Sequence, residues 1–266
     1  METYDIIILA GQSNAEGQGI GPVTQEYVPD DRIMMMTDDA EFAHIQENGK
    51  LQLTMKKPEK TFVSVADERL VDGNKVGCFA LTFAKNYADR YLTAGRKVLI
   101  VYTPYGSTCF ARGDWGVGNC MHERMVSMTQ EALLRNSENR VVAMLWSQGE
   151  HDADEHPQWD ADQRYRVHKE NLEAMMRDLY HRLGQDKFPV LACGFTDDNV
   201  ASDPVNCEAI LRAVRQWVEA LGGYVDTAGL MPNRAVMGGG DYYHFCRESL
   251  HILGDRFFEK YQEICN

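Results

Sequence analysis

Five short apolar runs, separated by longer stretches with helical spacing, constrain this chain more than any other feature: DIIILA (5–10), RIMMM (32–36), KVLIVYT (97–103), RVVAMLW (140–146) and FPVLACG (188–194). Nearly continuous apolar character suits strands covered on both sheet faces. Between the runs, Phe79, Phe83, Tyr87 and Tyr91 recur every fourth residue. Leu172, Met175, Met176, Leu179 and Leu183 form a second stripe, Ile210, Leu211, Val214, Trp217, Val218 and Leu221 a third, and Leu250, Leu253, Phe257 and Tyr261 a fourth. Each follows the spacing of a helix face that packs on a sheet. Such alternation specifies a parallel α/β sheet, and Gly95, Gly184 and Gly222 stand where helices are expected to stop.

The rhythm breaks once, at a polar, charge-mixed insertion over residues 38–76. Segments of that length inside compact domains tend to be functional or mobile. Otherwise no repeat or linker divides the 266 residues, so a single domain is expected. Twenty-seven basic against forty acidic residues leave a net charge of −13, a field that repels polyanions and argues against nucleic-acid or anionic-membrane partners. No run approaches the roughly 20 apolar residues of a spanning helix. No leader precedes Tyr4, which reads as a cytoplasmic chain; a secreted or periplasmic protein stripped of its signal peptide would read the same. Seven cysteines without CxxC spacing are expected to be buried or idle thiols.

In a parallel sheet with crossover helices all strands end on one edge, where ligands bind. The first strand there delivers Gly11-Gln12-Ser13-Asn14, the strand at 97–103 delivers Tyr105-Gly106-Ser107-Thr108, and the strand at 140–146 delivers Ser147-Gln148-Gly149-Glu150. A nucleophile, backbone donors and an amide donor thus converge from three places. Asp241 and His244 lie three apart ahead of the last helix. An aspartate bonded to one imidazole nitrogen leaves the other free to take a serine proton, so Ser13, His244 and Asp241 are candidates for a triad. Taken alone, GQSN is equally a turn or a helix cap, and Gln148 equally the cap of the helix after it.

Other groups read more plainly. A carboxylate at Glu150, so near developing negative charge, is expected to face away and hold the strand-end loops, with Gln12 and Asn14 as further loop-holding or substrate-contacting candidates. HDADEH (151–156) lacks a metal-binding helix register and is expected to be a solvated acidic loop. Trp115 and Trp159 lie beyond strand ends, where an indole can stack on a sugar or simply pack. GQGIG (17–21) has no phosphate-loop register.

GQSN after the first strand, YGST after a later one, WSQGEHD (146–152) and DYYHF (241–245) resemble the four motif blocks of SGNH-type esterases, in order and over nearly the whole chain. They are most similar to the carbohydrate acetylesterase branch related to sialate O-acetylesterases and acetylxylan esterases. The resemblance implies a flavodoxin-like three-layer α/β/α sandwich, Ser13 as nucleophile and the Asp241–His244 pair as its activator. It also implies an oxyanion hole from the Ser13 and Gly106 N–H groups and the Gln148 amide, no metal or organic cofactor, and an acetylated carbohydrate as substrate. The second block, PYGSTCF, carries one glycine after Tyr105 where relatives often have a pair. A general carboxylesterase or lipase-like hydrolase, and a glycan-binding module that kept the fold without turnover, are the alternatives.

Overall fold

The computed structural model describes residues 2–47, 50–185 and 187–265, with the backbone alone for 219–221. Its core is a seven-stranded sheet in the order β11-β10-β9-β1-β8-β2-β5. The strands are β1 (Thr3–Gly11), β2 (Ile33–Asp38), β5 (Thr61–Val65), β8 (Arg96–Tyr102), β9 (Arg140–Ser147), β10 (Val190–Cys193) and β11 (Gly222–Val225). All pairings are parallel except that of β5 with β2. The continuous apolar runs are explained by what covers them. Ile7 and Leu9 pack into one core layer, with α2 (Phe79–Tyr91) and α9 (Arg247–Cys265). Ile6, Ile8 and Ala10 pack into the other, with α3 (Cys120–Leu134), α5 (Ala161–Leu183) and α7 (Pro204–Leu221). The result is the expected three-layer sandwich, with most stripe residues forming its inner faces; Ile210 and Leu211 pack instead in a smaller cluster with Ala153, Phe195 and Cys207. Phe79 of α2 and Phe257 of α9 stack with centroids 4.7 Å apart. The side chain of Leu221 lies outside the described residues.

β1 lies at the centre, between β8 and β9, and the chain crosses from one side of it to the other between those two strands. Such a switch in direction is where open α/β sheets bind ligands, and it brings the segments after β1, β8 and β9 together. At the opposite end Asp5 is fully buried and gathers Arg96, Arg140 and the Tyr87 hydroxyl. Burial pushes the Asp5 carboxyl up, but the bonds from Arg140, Arg96 and Tyr87 outweigh it and hold the group below the ordinary carboxylate range.

The 38–76 segment is built rather than loose. It forms the hairpin β3 (Glu41–Glu47) with β4 (Lys50–Lys56), the antiparallel edge strand β5, and the hairpin β6 (Arg69–Val71) with β7 (Asn74–Val76). Phe42 of β3 stacks on Tyr105 with centroids 4.2 Å apart, and Arg69 of β6 donates to the Gly17 carbonyl at 2.9 Å. Both hairpins therefore stand against the strand-end loops. Gly184 caps α5 with φ 62° as expected, and Gly222 stops α7 after Leu221, also as expected. It is the first residue of β11, in extended backbone, and a Cβ there would lie 1.6 Å from the Val190 carbonyl oxygen. All seven cysteines are free, five of them buried, and burial pushes the Cys78 thiol up to about 11 and Cys193 to about 12.

Candidate active site

Ser13 opens a single-turn helix, α1 (Ser13–Glu16), directly after β1. The turn is possible because Gly11 has φ 131° and no side chain: a Cβ there would sit 2.0 Å from the Ser147 carbonyl oxygen, the atom that accepts the Gln12 N–H at 2.9 Å. Gln12 is buried, and its Oε1 accepts from the N–H groups of Gly149 and His151 at 3.3 and 3.4 Å. β1 and β9 are thus tied at their tips, which fixes the direction in which α1 leaves the sheet.

Asn14 makes the longer connection. It is 1% exposed; its Nδ2 donates to Glu150 Oε1 at 2.7 Å and to the Tyr243 carbonyl at 3.1 Å, and its Oδ1 accepts from Phe245 N–H at 3.1 Å. Tyr243 and Phe245 flank His244, so the residue after Ser13 pins the histidine segment to the serine turn across most of the chain. His244 Nδ1 lies 2.9 Å from Asp241 Oδ2, and the His244 N–H donates to the other carboxylate oxygen at 3.2 Å. Asn233 Nδ2 donates to Asp241 Oδ2 at 2.8 Å. Burial raises the Asp241 pKa, but the bonds from Asn233 and His244 prevail and hold the carboxyl below its usual value. An ionised Asp241 selects the tautomer with the proton on Nδ1, leaving Nε2 as the acceptor.

Glu150 opens α4 (Glu150–Asp154) and is 2% exposed. Burial raises its pKa, with the Asn14 bond working against that shift. Its carboxylate is turned to Asn14, and its contribution is to orient that amide.

The three expected oxyanion donors are placed differently from one another. The Ser13 N–H, at the start of α1, has no acceptor among the described residues. The Gly106 N–H donates to Glu16 Oε2 at 2.9 Å, and Glu16 is itself paired to Arg69 at 3.1 Å. Gly106 does lie against the serine, since a Cβ on it would be 3.7 Å from Ser13 Cβ. Gln148 Nε2 points to Asp152 Oδ2 at 2.5 Å and to the Thr108 carbonyl at 3.2 Å. Both of its hydrogens have partners, the second at the longer distance.

Two expectations are corrected. Trp115 cannot touch substrate: it is fully buried, packs edge-on against Trp146 with centroids 5.0 Å apart and donates to Thr108 Oγ1 at 2.9 Å. The acidic segment 151–156 is not uniformly solvated. Asp152 is 3% exposed and accepts from Gln148 and from the N–H groups of Phe110 and Ala111, tying the loop after β8 to that after β9. His156 reaches the same residue at the Ala111 carbonyl, at 3.1 Å, while Asp154 turns to the Tyr243 hydroxyl at 3.2 Å.

Neither Asn233 nor Glu16 is singled out by the sequence, and Asp152 enters only within WSQGEHD and the acidic segment 151–156. Asp152 had a signal, since it follows Gln148 by four residues, one helical turn. Asn233 had none, because its partners at Asp241, Gln18 and Ile20 come from distant segments.

The sandwich, with its serine turn at the central strand and an Asp–His pair before the last helix, defines an SGNH-type hydrolase fold. The chain belongs to the carbohydrate esterase family described as sialic acid-specific acetylesterase, which matches residues 3–263, and it is a carboxylic ester hydrolase. Among solved structures it is similar to NanS, with TM-score 0.75 and 19% identity over 99% of this chain and 98% of that one. It is also similar to a protein from Arabidopsis thaliana, with TM-score 0.71 and 19% identity over 98% of each chain. A third likeness is to the carbohydrate acetylesterase XAC1771 from Xanthomonas citri, with TM-score 0.58 and 14% identity over 98% of this chain and 56% of that one. No curated protein sequence matches the chain. Among the described residues no helix is long and apolar enough to cross a membrane.

Proposed function

We propose that the protein removes O-acetyl groups from a carbohydrate by acyl transfer through Ser13. The observation that carries this reading is the Asn14 bridge, which holds both neighbours of His244 against the serine turn while His244 Nδ1 is engaged by Asp241. His244 Nε2 takes the Ser13 hydroxyl proton as Oγ bonds to the acetyl carbonyl carbon. The tetrahedral intermediate then collapses, the sugar oxygen leaving with the proton from His244 and the acetyl group remaining on Oγ. His244 next takes a proton from water, whose oxygen attacks the acetyl carbon, and acetate leaves as the proton returns to Ser13. Asp241, held in its ionised form, stabilises the imidazolium in both halves.

The oxyanion is stabilised first by the Ser13 N–H. Gln148 supplies its second hydrogen by releasing the long bond to Thr108 while Asp152 keeps the first. Gly106 joins when Glu16 swings away from its N–H. The test is acetate release from O-acetylated sugars, set against hydrolysis of acetyl and longer acyl esters of one aryl alcohol. The reading requires acetyl preference and sugar deacetylation, both lost in Ser13→Ala. Equal turnover of long acyl esters would indicate a general carboxylesterase.

A further inference from the structure

A cleft of about 740 Å³ runs between the β3–β4 hairpin and the 155–159 segment, within the usual size of ligand sites. Its floor is Arg112, fixed by Glu155 at 2.6 Å, by Asp114 at 3.1 Å and by a bond from Nη2 to the Ser107 carbonyl. Ser107 follows Gly106, the residue that lies against Ser13, so Arg112 links the cleft to the loop beside the candidate nucleophile. One wall carries Gln52 of β4, and the other carries Gln158 and Trp159. The half-buried Trp159 ring rests one face on His156, with centroids 4.3 Å apart, and His156 is itself held by the Ala111 carbonyl at 3.1 Å. Ser107 and His156 adopt φ values of 61° and 54°, left-handed backbone at non-glycine residues. Such strain is kept where surrounding structure demands it, commonly at binding sites.

The lining sets the apolar surface of Leu51, Ala111 and the Trp159 ring beside amides, Lys50 and the Arg112–Glu155 pair, which favours an amphipathic ligand over a bare acyl chain. Amides and a neutralised Arg–Glu pair would be desolvated without partners by a hydrocarbon, at a cost of a few kcal/mol. A sugar ring offers what they lack: hydroxyls for the amides and the ion pair, and a C–H face for the indole. In an acetylesterase the acyl part is one methyl group, so everything beyond the reacting carbonyl is alcohol, that is, glycan.

We propose that this cleft is a glycan subsite: it takes a pyranose residue adjoining the acetylated sugar, stacked on Trp159 and hydrogen-bonded by Gln52, Gln158 and the Arg112–Glu155 pair. The subsite rests on the acetylesterase reading above. It makes the protein an enzyme of oligosaccharides and glycan termini rather than of free monosaccharides.

The test uses the whole protein and three substrates or pairs: an aryl acetate; O-acetylated xylose against O-acetylated xylotetraose; and O-acetylated sialic acid against O-acetylated sialyllactose. Wild type is expected to favour the longer member of whichever pair it deacetylates. Trp159→Ala is expected to lower kcat/KM for that longer substrate about tenfold, mainly through KM, as loss of an aromatic contact does. Trp159→Phe should keep most of the preference, Gln52→Ala on the exposed hairpin should lower it by a smaller factor, and aryl acetate hydrolysis should stay within about twofold throughout. The subsite is overturned if sugars are deacetylated but the long-to-short ratio is unchanged in Trp159→Ala and Gln52→Ala, or if Trp159→Ala and Trp159→Phe depress the aryl acetate equally with the oligosaccharide. If wild type cleaves the aryl acetate but neither sugar pair, the acetylesterase reading itself falls and the subsite with it.

Discussion

Replacing Asn14 by alanine separates the claim that the serine turn and the histidine segment are locked together from the weaker one that they are merely near. The change removes three hydrogen bonds, to Glu150, Tyr243 and Phe245, at about 1 kcal/mol each. It also strips the buried Glu150 carboxyl of the Asn14 donor that holds its pKa down against burial, adding about 1–3 kcal/mol for an unsatisfied buried group. After partial relaxation the expected loss of unfolding free energy is about 4 kcal/mol. Because the pinned segment carries His244, displacement by about 1 Å should also cost on the order of 10²-fold in kcat/KM. Glu150→Gln alone keeps an acceptor for Asn14 and replaces a carboxyl whose ionised form burial disfavours, so it should lie within about 1 kcal/mol of wild type. Asn14→Ala combined with Glu150→Gln should recover about 2 kcal/mol of the Asn14→Ala loss, a non-additivity that reports direct coupling. Urea unfolding of the four proteins, with aryl acetate kinetics on the same samples, measures both quantities. Asn14→Ala within about 1 kcal/mol and threefold of wild type, or a double mutant whose losses simply add, would refute the lock.

Three further outcomes follow from the geometry. Gln148→Ala should lower kcat by roughly 10²–10³ with little change in KM; a pure KM effect would place Gln148 on the substrate, and a loss of stability alone would leave it a tie to Asp152. Gly11→Ala, with a Cβ 2.0 Å from the Ser147 carbonyl oxygen and φ 131°, should cost at least about 3 kcal/mol in the same unfolding assay, and a neutral result would mean the β1–β9 tips are not in contact. Asp5 has a depressed carboxyl pKa, so its stabilisation is complete above the ordinary value of about 3.9 and is lost as pH falls through the depressed one. Asp5→Asn should therefore cost about 3 kcal/mol at neutral pH and flatten the acid limb of the stability profile, which urea titrations from neutral to about pH 3 would show.

What the sequence made legible was set by local signals. The five apolar runs became β1, β2, β8, β9 and β10 because their continuous burial needs no partner identity, only cover on both faces. The convergence of Ser13, Gly106 and Gln148 was readable because parallel strands share an edge. β11 was missed: GGYV is short and glycine-rich, and its place depends on Val190 of β10. The hairpin β3–β4 was taken for polar insertion although KLQLTMK alternates strictly, because its apolar residues are few and its anchor, Tyr105, comes from another strand end. Trp115 and Trp159 show the same limit. Both follow strands, yet one is sealed by Trp146 and the other lines a cleft, and nothing in ARGDW or HPQWD tells them apart. Asp152 was read as solvated because burial of an acid is decided by the donors brought to it, here Gln148, Phe110 and Ala111 from two other loops.

The central claim, that Ser13 is the nucleophile activated by His244, is tested most directly by peptide mapping after inactivation with a fluorophosphonate. The account predicts one adduct, on Ser13, formed in proportion to loss of acetylesterase activity, absent from Ser13→Ala and slowed on the order of 10³-fold or more in His244→Ala. An adduct on another residue, or a Ser13→Ala protein that hydrolyses acetyl esters at near wild-type rate, would contradict it.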